Sequence, residues 1–290
     1  MALAVIATLA LLAGGAQAAA VPLQDYTGSV QFTGNTNGAP SVMLFDADSG
    51  TILFQKNIDD QIEPASTTKI LTLLIALEKG NMSDTVTVAS SAAAANVNRS
   101  KLGLIAREEG NFKDLINGMM MASGNDAAIA VAQHMAGSVD AFASIMNAEA
   151  KRIGLTSSNF VTPHGMHADG HYSTARDIAI LTMYAMKNPK FMEIVGQKSY
   201  AMPADNKHSS EWVIKNTNKL LQPDEPYYYE NATGIKTGST RAAGDCLVSS
   251  ASKSGMNLAC IVFKTAENNP IRWTLSKELF EWGYSSFRTV

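Results

Sequence analysis

A serine and a lysine stand three residues apart in the sequence PASTTK at residues 64–69. The apolar pattern that follows predicts a helix over residues 66–79, so both side chains share one face of its first turn. The Ser66 hydroxyl then lies at the positive end of the helix dipole, beside an amine that can accept its proton. Burial or a nearby positive charge would lower the pKa of Lys69 enough for it to act as a base. The pair predicts a serine nucleophile with its own base.

Ser-x-x-Lys spacing occurs a second time, at Ser250 and Lys253. This second pair runs into a predicted hairpin turn, where the two side chains cannot stack as they do on a helix. Spacing alone is therefore a weak signal, and the position of each pair in the fold must discriminate between them.

Two further motifs are placed to complete a site with the first pair. Ser123 and Asn125 lie in a short polar turn predicted between two helices, although the same spacing recurs at residues 157–159. A Lys-Thr-Gly sequence occurs once, at residues 236–238, on a predicted strand. Because side chains alternate along a strand, Lys236 and Gly238 share one side, and a glycine there lets a substrate backbone lie close to the sheet.

Strands are predicted at both ends of the chain, and helices between them. The predicted strands cover residues 41–45, 51–55, 244–251 and 257–264, and the predicted helices cover residues 112–122, 126–136, 139–153, 175–187 and 271–282. The fold class is therefore α+β, with a domain at residues 41–287. Residues 41–89 and 200–287 share one antiparallel sheet, and residues 90–199 form an inserted helical lobe. A cleft between the two lobes is the expected site for a small molecule.

The composition excludes several classes of protein. The 290 residues include 23 basic and 26 acidic side chains without a long run of either sign, which argues against nucleic acid as a partner. Two cysteines exclude a disulfide scaffold and a Cys-rich zinc site. If the last hairpin turns at Ser254, Cys260 faces Val248 and lies about 7–8 Å from Cys246, so free thiols are favoured over a disulfide.

The first residues are typical of a targeting segment. Residues 1–20 are apolar and small and end in Ala-Gln-Ala, which predicts a signal peptide, cleavage near Ala18 and export to the cell wall or periplasmic space. No basic residue precedes the apolar run, so an uncleaved anchor stays an alternative. Residues 21–40 are rich in Gly, Asn and Thr and predict a flexible leader.

The order and spacing of the three motifs resemble those of the penicillin-recognising serine enzymes. More narrowly, the chain resembles the low-molecular-mass D-alanyl-D-alanine carboxypeptidases of serine peptidase family S11. Further matching stretches lie at residues 44–56, 162–179, 216–221 and 234–244. The resemblance covers residues 41–287 and implies a serine β-lactamase/DD-peptidase-like fold, an antiparallel sheet flanked by helices plus an inserted helical lobe.

The resemblance also implies a role for each motif residue. Ser66 would attack the carbonyl between the last two D-alanines of a peptidoglycan stem peptide, and Lys69 would take its proton and later activate water. Ser123 would support this proton transfer, as would Lys236. The substrate would be bound by Asn125, Lys236, Thr237, Gly238 and Ser239. The backbone N–H groups of Ser66 and Ser239 would form the oxyanion hole. β-Lactams would be covalent inhibitors, and no cofactor is implied.

The sequence departs from the family pattern at two places. Thr217 stands where many relatives carry an arginine, so recognition of the substrate carboxylate would fall on Thr237 or on Arg241. Relatives commonly continue into a second domain and an amphipathic anchor, whereas this sequence ends at Val290, so no such anchor is expected. Separately, a monomer is predicted. A loop holds His164, His167 and His171 at ligand-like spacing, but its irregular sequence argues against a metal.

Three alternative functions stay open. A class A β-lactamase is disfavoured because no Glu-x-x-x-Asn sequence lies between Ser123 and Lys236. The motifs do not separate a carboxypeptidase from an endopeptidase that cleaves D-Ala cross-links. The intact motifs argue against a catalytically silent penicillin-binding sensor.

Changing Ser66 to Ala should abolish covalent labelling of the protein by a fluorescent penicillin. Changing Ser250 to Ala should leave labelling intact, because only Ser66 combines a helix start with a lysine one turn along. Labelling is read on a denaturing gel, and a labelled Ser66→Ala protein would contradict the assignment.

Overall fold

The computed structural model describes residues 4–6, 22–94 and 100–289. The strands are β1 (Ala4–Ile6), β2 (Gln24–Asp25), β3 (Ser41–Asp46), β4 (Thr51–Lys56), β5 (Thr85–Thr87), β6 (Glu109–Asn111), β7 (Ser199–Met202), β8 (Trp212–Lys215), β9 (Ala232–Thr240), β10 (Gly244–Lys253), β11 (Met256–Thr265) and β12 (Phe287–Thr289). The helices are α1 (Lys69–Lys79), α2 (Ser90–Ala93), α3 (Phe112–Met121), α4 (Asn125–Ala136), α5 (Val139–Ile153), α6 (Ala175–Met186), α7 (Pro189–Val195) and α8 (Ile271–Ser286). Short 3-10 helices cover Ala65–Thr68 and Lys219–Leu221.

Six of these strands form one sheet in the order β2-β4-β3-β11-β10-β9. The two ends of the chain meet where β3 pairs antiparallel with β11, and Leu44 lies opposite Cys260. The predicted antiparallel sheet shared by both ends, and the α+β fold class, are therefore confirmed. Only the short strand β2 runs parallel to its neighbour β4 within this sheet.

The sheet has a hydrophobic core on each face. The alternating side chains of β11 divide between them, since Ile261 and Phe263 join one core and Leu258 joins the other. Leu279 and Phe280 of α8 fill the second core from outside the sheet. The larger core contains α1 and the helices of the middle of the chain. Helix α1 is buried from Lys69 through Ala76, so it runs through the centre of the molecule.

The predicted helices start at the caps that the sequence offers. The Ser138 side chain accepts a hydrogen bond from the Ala141 amide at the start of α5, and Thr174 accepts one from the Asp177 amide at the start of α6. Such caps satisfy amides that have no partner within the helix. Residues 200–287 are predicted to belong to the main sheet, but β7 and β8, within residues 199–215, are not part of it. These two strands form their own two-stranded sheet. Tyr200 of this small sheet donates a hydrogen bond to Asp114 of α3.

The register of the last hairpin corrects one prediction. Lys253 pairs with Met256, so Cys260 lies opposite Ser249 rather than opposite Val248. The shift by one residue turns Cys260 to the core beneath α8, whereas Cys246 points into the larger core. Both cysteines are buried free thiols, as expected. Burial raises the pKa of each thiol to about 12.

The start of the chain lies against the sheet where the structure describes it. The Tyr26 ring packs edge-on against Phe287, and the Phe32 ring packs against Phe54 and Trp282. The segment predicted as a flexible leader is thus packed against the rest of the domain through two aromatic side chains. The prediction was based on its Gly- and Asn-rich composition and did not take these two residues into account. Of the predicted signal peptide, residues 4–6 pair with β12, and the rest lies outside the described residues. None of the described helices is long and apolar enough to cross a membrane.

Candidate active site

Ser66 lies in the 3-10 turn that opens α1. Its side chain is only 7% exposed, and its Oγ lies 3.1 Å from Nζ of Lys69. The turn is held by the carbonyl oxygen of Pro64, which accepts hydrogen bonds from the backbone N–H and the hydroxyl of Thr67. The predicted stacking of Ser66 and Lys69 on one helical face is present. In the second Ser-x-x-Lys sequence, Lys253 instead forms an ion pair with Glu281 on the surface.

The Lys69 side chain is fully buried among oxygen atoms. Its Nζ lies 2.7 Å from Oδ1 of Asn125 and 2.9 Å from the backbone oxygen of His164, in addition to Ser66 Oγ. Carbonyl oxygens only accept hydrogen bonds, whereas a hydroxyl both donates and accepts. A neutral amine has two N–H donors for the two carbonyls, which leaves its lone pair facing the Ser66 hydroxyl. The geometry therefore fits a base that accepts the serine proton.

The electrostatics of Lys69 favour the same neutral form. Burial lowers the pKa of Lys69 well below its usual 10.5, and the positive charge of Lys236 acts in the same direction. The carboxylate of Asp126 opposes this shift. Removing an ammonium from water without a paired carboxylate is costly, so the amine loses its proton more easily here than in solution.

The second motif forms the turn between α3 and α4. Ser123 is buried and has a φ of 56°, a conformation that is uncommon for residues other than glycine. Asn125 is the first residue of α4, and its side chain reaches Lys69. Both oxygens of the neighbouring Asp126 accept hydrogen bonds from three consecutive backbone amides, those of Leu102, Gly103 and Leu104. The Asp126 carboxylate thereby holds the loop at residues 102–104 against the second motif.

The third motif lies on β9, the edge strand that faces the 3-10 turn. A side chain at Gly238 would place its Cβ 3.1 Å from the backbone nitrogen of Ser66, a tight contact, so glycine lets β9 pack closely against the nucleophile turn. Lys236 is fully buried, and burial lowers its pKa to about 7. The Thr237 hydroxyl lies 2.7 Å from that of Thr217. Ser239 is exposed at the end of the motif.

The structure adds an arginine that the motifs do not announce. Arg272, the second residue of α8, donates a hydrogen bond from Nη1 to the backbone oxygen of Gly238 at 3.4 Å. It also forms an ion pair with buried Asp245 at 3.1 Å. Arg241, named from the sequence, lies exposed in the turn that follows β9. No sequence motif marks Arg272, because it lies 34 residues beyond Gly238 and reaches it only through the fold.

The histidine-containing loop packs directly behind the nucleophile. Nε2 of His171 lies 3.0 Å from the hydroxyl of Thr68, and its Nδ1 accepts a hydrogen bond from the Val161 amide. Nδ1 of His164 accepts one from the Met166 amide. Burial lowers the pKa of His164 to about 3 and that of His171 to about 4, so both rings are neutral. These two rings order the loop that presents the His164 carbonyl to Lys69.

Comparison with known proteins identifies the family. The sequence matches the D-alanyl-D-alanine carboxypeptidase family, peptidase S11, over residues 29–267, and the chain belongs to this family. It is 34% identical to D-alanyl-D-alanine carboxypeptidase DacF of Bacillus subtilis over 254 residues, 87% of this chain and 63% of the relative. It is 36% identical to D-alanyl-D-alanine carboxypeptidase DacC of Escherichia coli over 267 residues, 87% of this chain and 64% of the relative. The chain thus spans less than two thirds of these relatives.

A solved structure shares the fold. The crystal structure of a DD-transpeptidase of Streptomyces superposes with a TM-score of 0.81 at 30% identity, and the match covers 88% of this chain and 100% of that one. This likeness and the family assignment confirm the serine β-lactamase/DD-peptidase-like fold, a central sheet with helices on both sides.

Changing Gly165 to Ala should reduce the rate of covalent penicillin labelling by at least about 100-fold. Gly165 has a φ of 80°, and an added Cβ would lie 1.7 Å from the backbone oxygen of Ala65, next to the nucleophile. The collision must displace either the Ser66 turn or the His164 carbonyl, and a small misplacement of reacting groups has a large effect on rate.

Gly170 provides the matched control in the same loop. It has the same φ of 80°, but its added Cβ would lie 3.6 Å from the nearest atom, Nδ2 of Asn159. Gly170→Ala should therefore keep the labelling rate within about threefold, because it adds only backbone strain of about 1–2 kcal/mol away from the nucleophile. Equal labelling rates in the two variants would show that the contact with Ala65 does not position the nucleophile.

Proposed function

We propose that this chain is a serine D-alanyl-D-alanine carboxypeptidase that removes the terminal D-alanine from peptidoglycan stem peptides. The proposal rests on one observation above all, the 3.1 Å contact between Ser66 Oγ and the amine of buried Lys69. A hydroxyl beside a desolvated neutral amine is an activated nucleophile. The names of the family and of its relatives supply the substrate class.

In acylation, Ser66 Oγ attacks the carbonyl carbon between the two D-alanines while its proton passes to Lys69. The oxyanion that forms accepts hydrogen bonds from the backbone N–H groups of Ser66 and Ser239. Collapse of this intermediate breaks the peptide bond, and the departing D-alanine nitrogen takes the proton from Lys69. The step leaves an ester on Ser66 and a neutral lysine.

In deacylation, water enters the space that the departing D-alanine has left. Lys69 accepts a proton from the water as its oxygen attacks the ester carbonyl. Ser66 then leaves with that proton, and a stem peptide one residue shorter is released. Because one amine serves both steps, the burial that lowers its pKa is required throughout the cycle.

The third motif and its neighbours bind the substrate in this proposal. The terminal carboxylate is recognised by the Thr237 hydroxyl and by the positive charges of Lys236 and Arg272. Asn125 orients the peptide amide, and Ser123 relays the proton between Lys69 and the leaving nitrogen. The close packing of Gly238 against the Ser66 turn holds β9 beside the nucleophile, and in this proposal the substrate lies extended along β9.

The enzyme acts outside the cytoplasmic membrane in this proposal, because peptidoglycan lies there. The apolar segment at residues 1–20 supports export. The proposed catalytic domain is residues 41–287, with the sheet and the helical part meeting at Lys69.

Mixing with benzylpenicillin should convert the protein to a penicilloyl adduct that persists for many minutes, as read by mass spectrometry of the intact chain. The bound drug keeps the ring remnant that D-alanine would have vacated, so water has no space beside the ester. If this raises the deacylation barrier by about 4 kcal/mol, the step slows roughly 1,000-fold. Free D-alanine should be released from a diacyl-D-Ala-D-Ala peptide in a parallel assay.

The two readouts separate the alternative functions. Rapid return to the unmodified mass with steady loss of drug would indicate a β-lactamase. A lasting adduct without release of D-alanine from the peptide would indicate a penicillin-binding sensor. Cleavage of a cross-linked muropeptide in preference to the diacyl peptide would indicate an endopeptidase.

A further inference from the structure

Three metal-ligating side chains meet away from the serine site. They are Glu108, just before β6, and Asp205 and His208 in the loop between β7 and β8. One ligand atom from each lies within 4.8 Å of the other two. The first is about one hundred residues distant in sequence from the others, so the fold brings them together and no motif announces the cluster.

The distances fit a tetrahedral metal. Nδ1 of His208 lies 3.1 Å from Oδ2 of Asp205 and 3.9 Å from Oε2 of Glu108. Zinc binds nitrogen and oxygen ligands at about 2.0–2.2 Å, so two ligands of a tetrahedral site lie about 3.4 Å apart. The observed separations lie on either side of that value, so small side-chain movements would close the site.

The two carboxylates of the cluster have no cationic partner other than His208 among the described residues, which favours binding of a cation. Glu108 is only 2% exposed, and no lysine or arginine in the described part of the chain forms an ion pair with it. Two carboxylates within 4.8 Å of each other, one of them buried, are costly unless a proton or a metal compensates them.

The surrounding hydrogen bonds already hold the ligands in place. Oδ1 of Asp205 accepts hydrogen bonds from the backbone amides of Lys207 and His208, which leaves Oδ2 directed at the cluster. The side chain of Asn206 bridges the two segments, donating to the Arg107 oxygen and accepting from the Glu109 amide, each at 2.9 Å. A site with fixed ligands binds a metal at a smaller cost in side-chain entropy.

We propose that Glu108, Asp205 and His208 bind a zinc ion, with a water molecule as the fourth ligand. One imidazole and two carboxylates are ligands typical of Zn²⁺, with an order of affinity that favours it over Mn²⁺ or Fe²⁺. Calcium needs six to eight oxygen ligands and magnesium six in an octahedron, so three protein ligands including a nitrogen suit neither. This site is separate from the proposed peptidase reaction.

The zinc would tie the hairpin of β7 and β8 to the loop beside the active site. The carboxylate of Glu108 also accepts a hydrogen bond from the Ile105 amide, and the preceding amides of residues 102–104 are held by Asp126. Asp126 follows Asn125, which contacts Lys69. Metal binding at Glu108 would therefore stiffen one edge of the substrate cleft.

The test is a calorimetric titration of metal-free full chain with ZnCl₂. We expect one high-affinity zinc per chain and a rise in Tm of at least about 3 °C at saturating metal. Glu108→Gln, which keeps the shape of the side chain, and His208→Ala should each weaken binding at least about 30-fold. His134→Ala is the matched control, because His134 lies 3.0 Å from Asp84 and, among the residues that the structure describes, no third ligand joins that pair.

Far-UV circular dichroism and a cooperative thermal transition, measured on the same metal-free samples, show that each variant is folded. Zinc binding by Glu108→Gln as tight as that of the unmodified chain would overturn the proposal. So would the absence of high-affinity zinc binding by the unmodified chain, or equal loss of binding in His134→Ala. None of these results depends on whether the peptidase proposal holds, since the titration requires no substrate.

Discussion

The burial of the Lys69 amine is the constraint on which the rest of the structure depends. The amine contacts a hydroxyl and two carbonyl oxygens, so its hydrogen-bond partners are all uncharged and do not stabilise an ammonium as a carboxylate would. Each contact comes from a different part of the chain: the 3-10 turn, the start of α4 and the loop that carries His164. Helix α1 can hold the lysine there because it is enclosed by the larger core from Lys69 to Ala76.

This arrangement has a cost in stability that the rest of the fold offsets. Two lysines, Lys69 and Lys236, are fully buried, and both are held at lowered pKa. Ala65 and Ser123 have unfavourable positive φ angles, 47° and 56°. Each is a near neighbour in sequence of a residue that contacts Lys69. Strain of about 1–3 kcal/mol per residue persists only where surrounding structure fixes the backbone. The two hydrophobic cores supply that surrounding structure.

Local features were predictable from the sequence, and long-range contacts were not. The caps at Ser138 and Thr174 mark their helices because a hydroxyl that satisfies helix amides leaves a local signal. The register of the last hairpin was missed by one residue, which reversed the direction of Cys260. The sequence gives no signal for the contacts of Arg272 or of the His164 carbonyl. Arg272 reaches Gly238 only through the fold, and His164 contacts Lys69 through a backbone oxygen that any residue type carries.

The pH dependence of acylation by benzylpenicillin tests most directly whether neutral Lys69 is the base. The second-order rate constant should be low at acid pH, rise as the pH increases and Lys69 loses its proton, and reach its plateau well below pH 10.5, the usual pKa of lysine. Lys69→Ala should lower the rate by at least about 100-fold at every pH, whereas His164→Asn should keep the position of the acid limb. Acylation by Lys69→Ala within tenfold of normal, or an acid limb that moves with His164, would contradict the account.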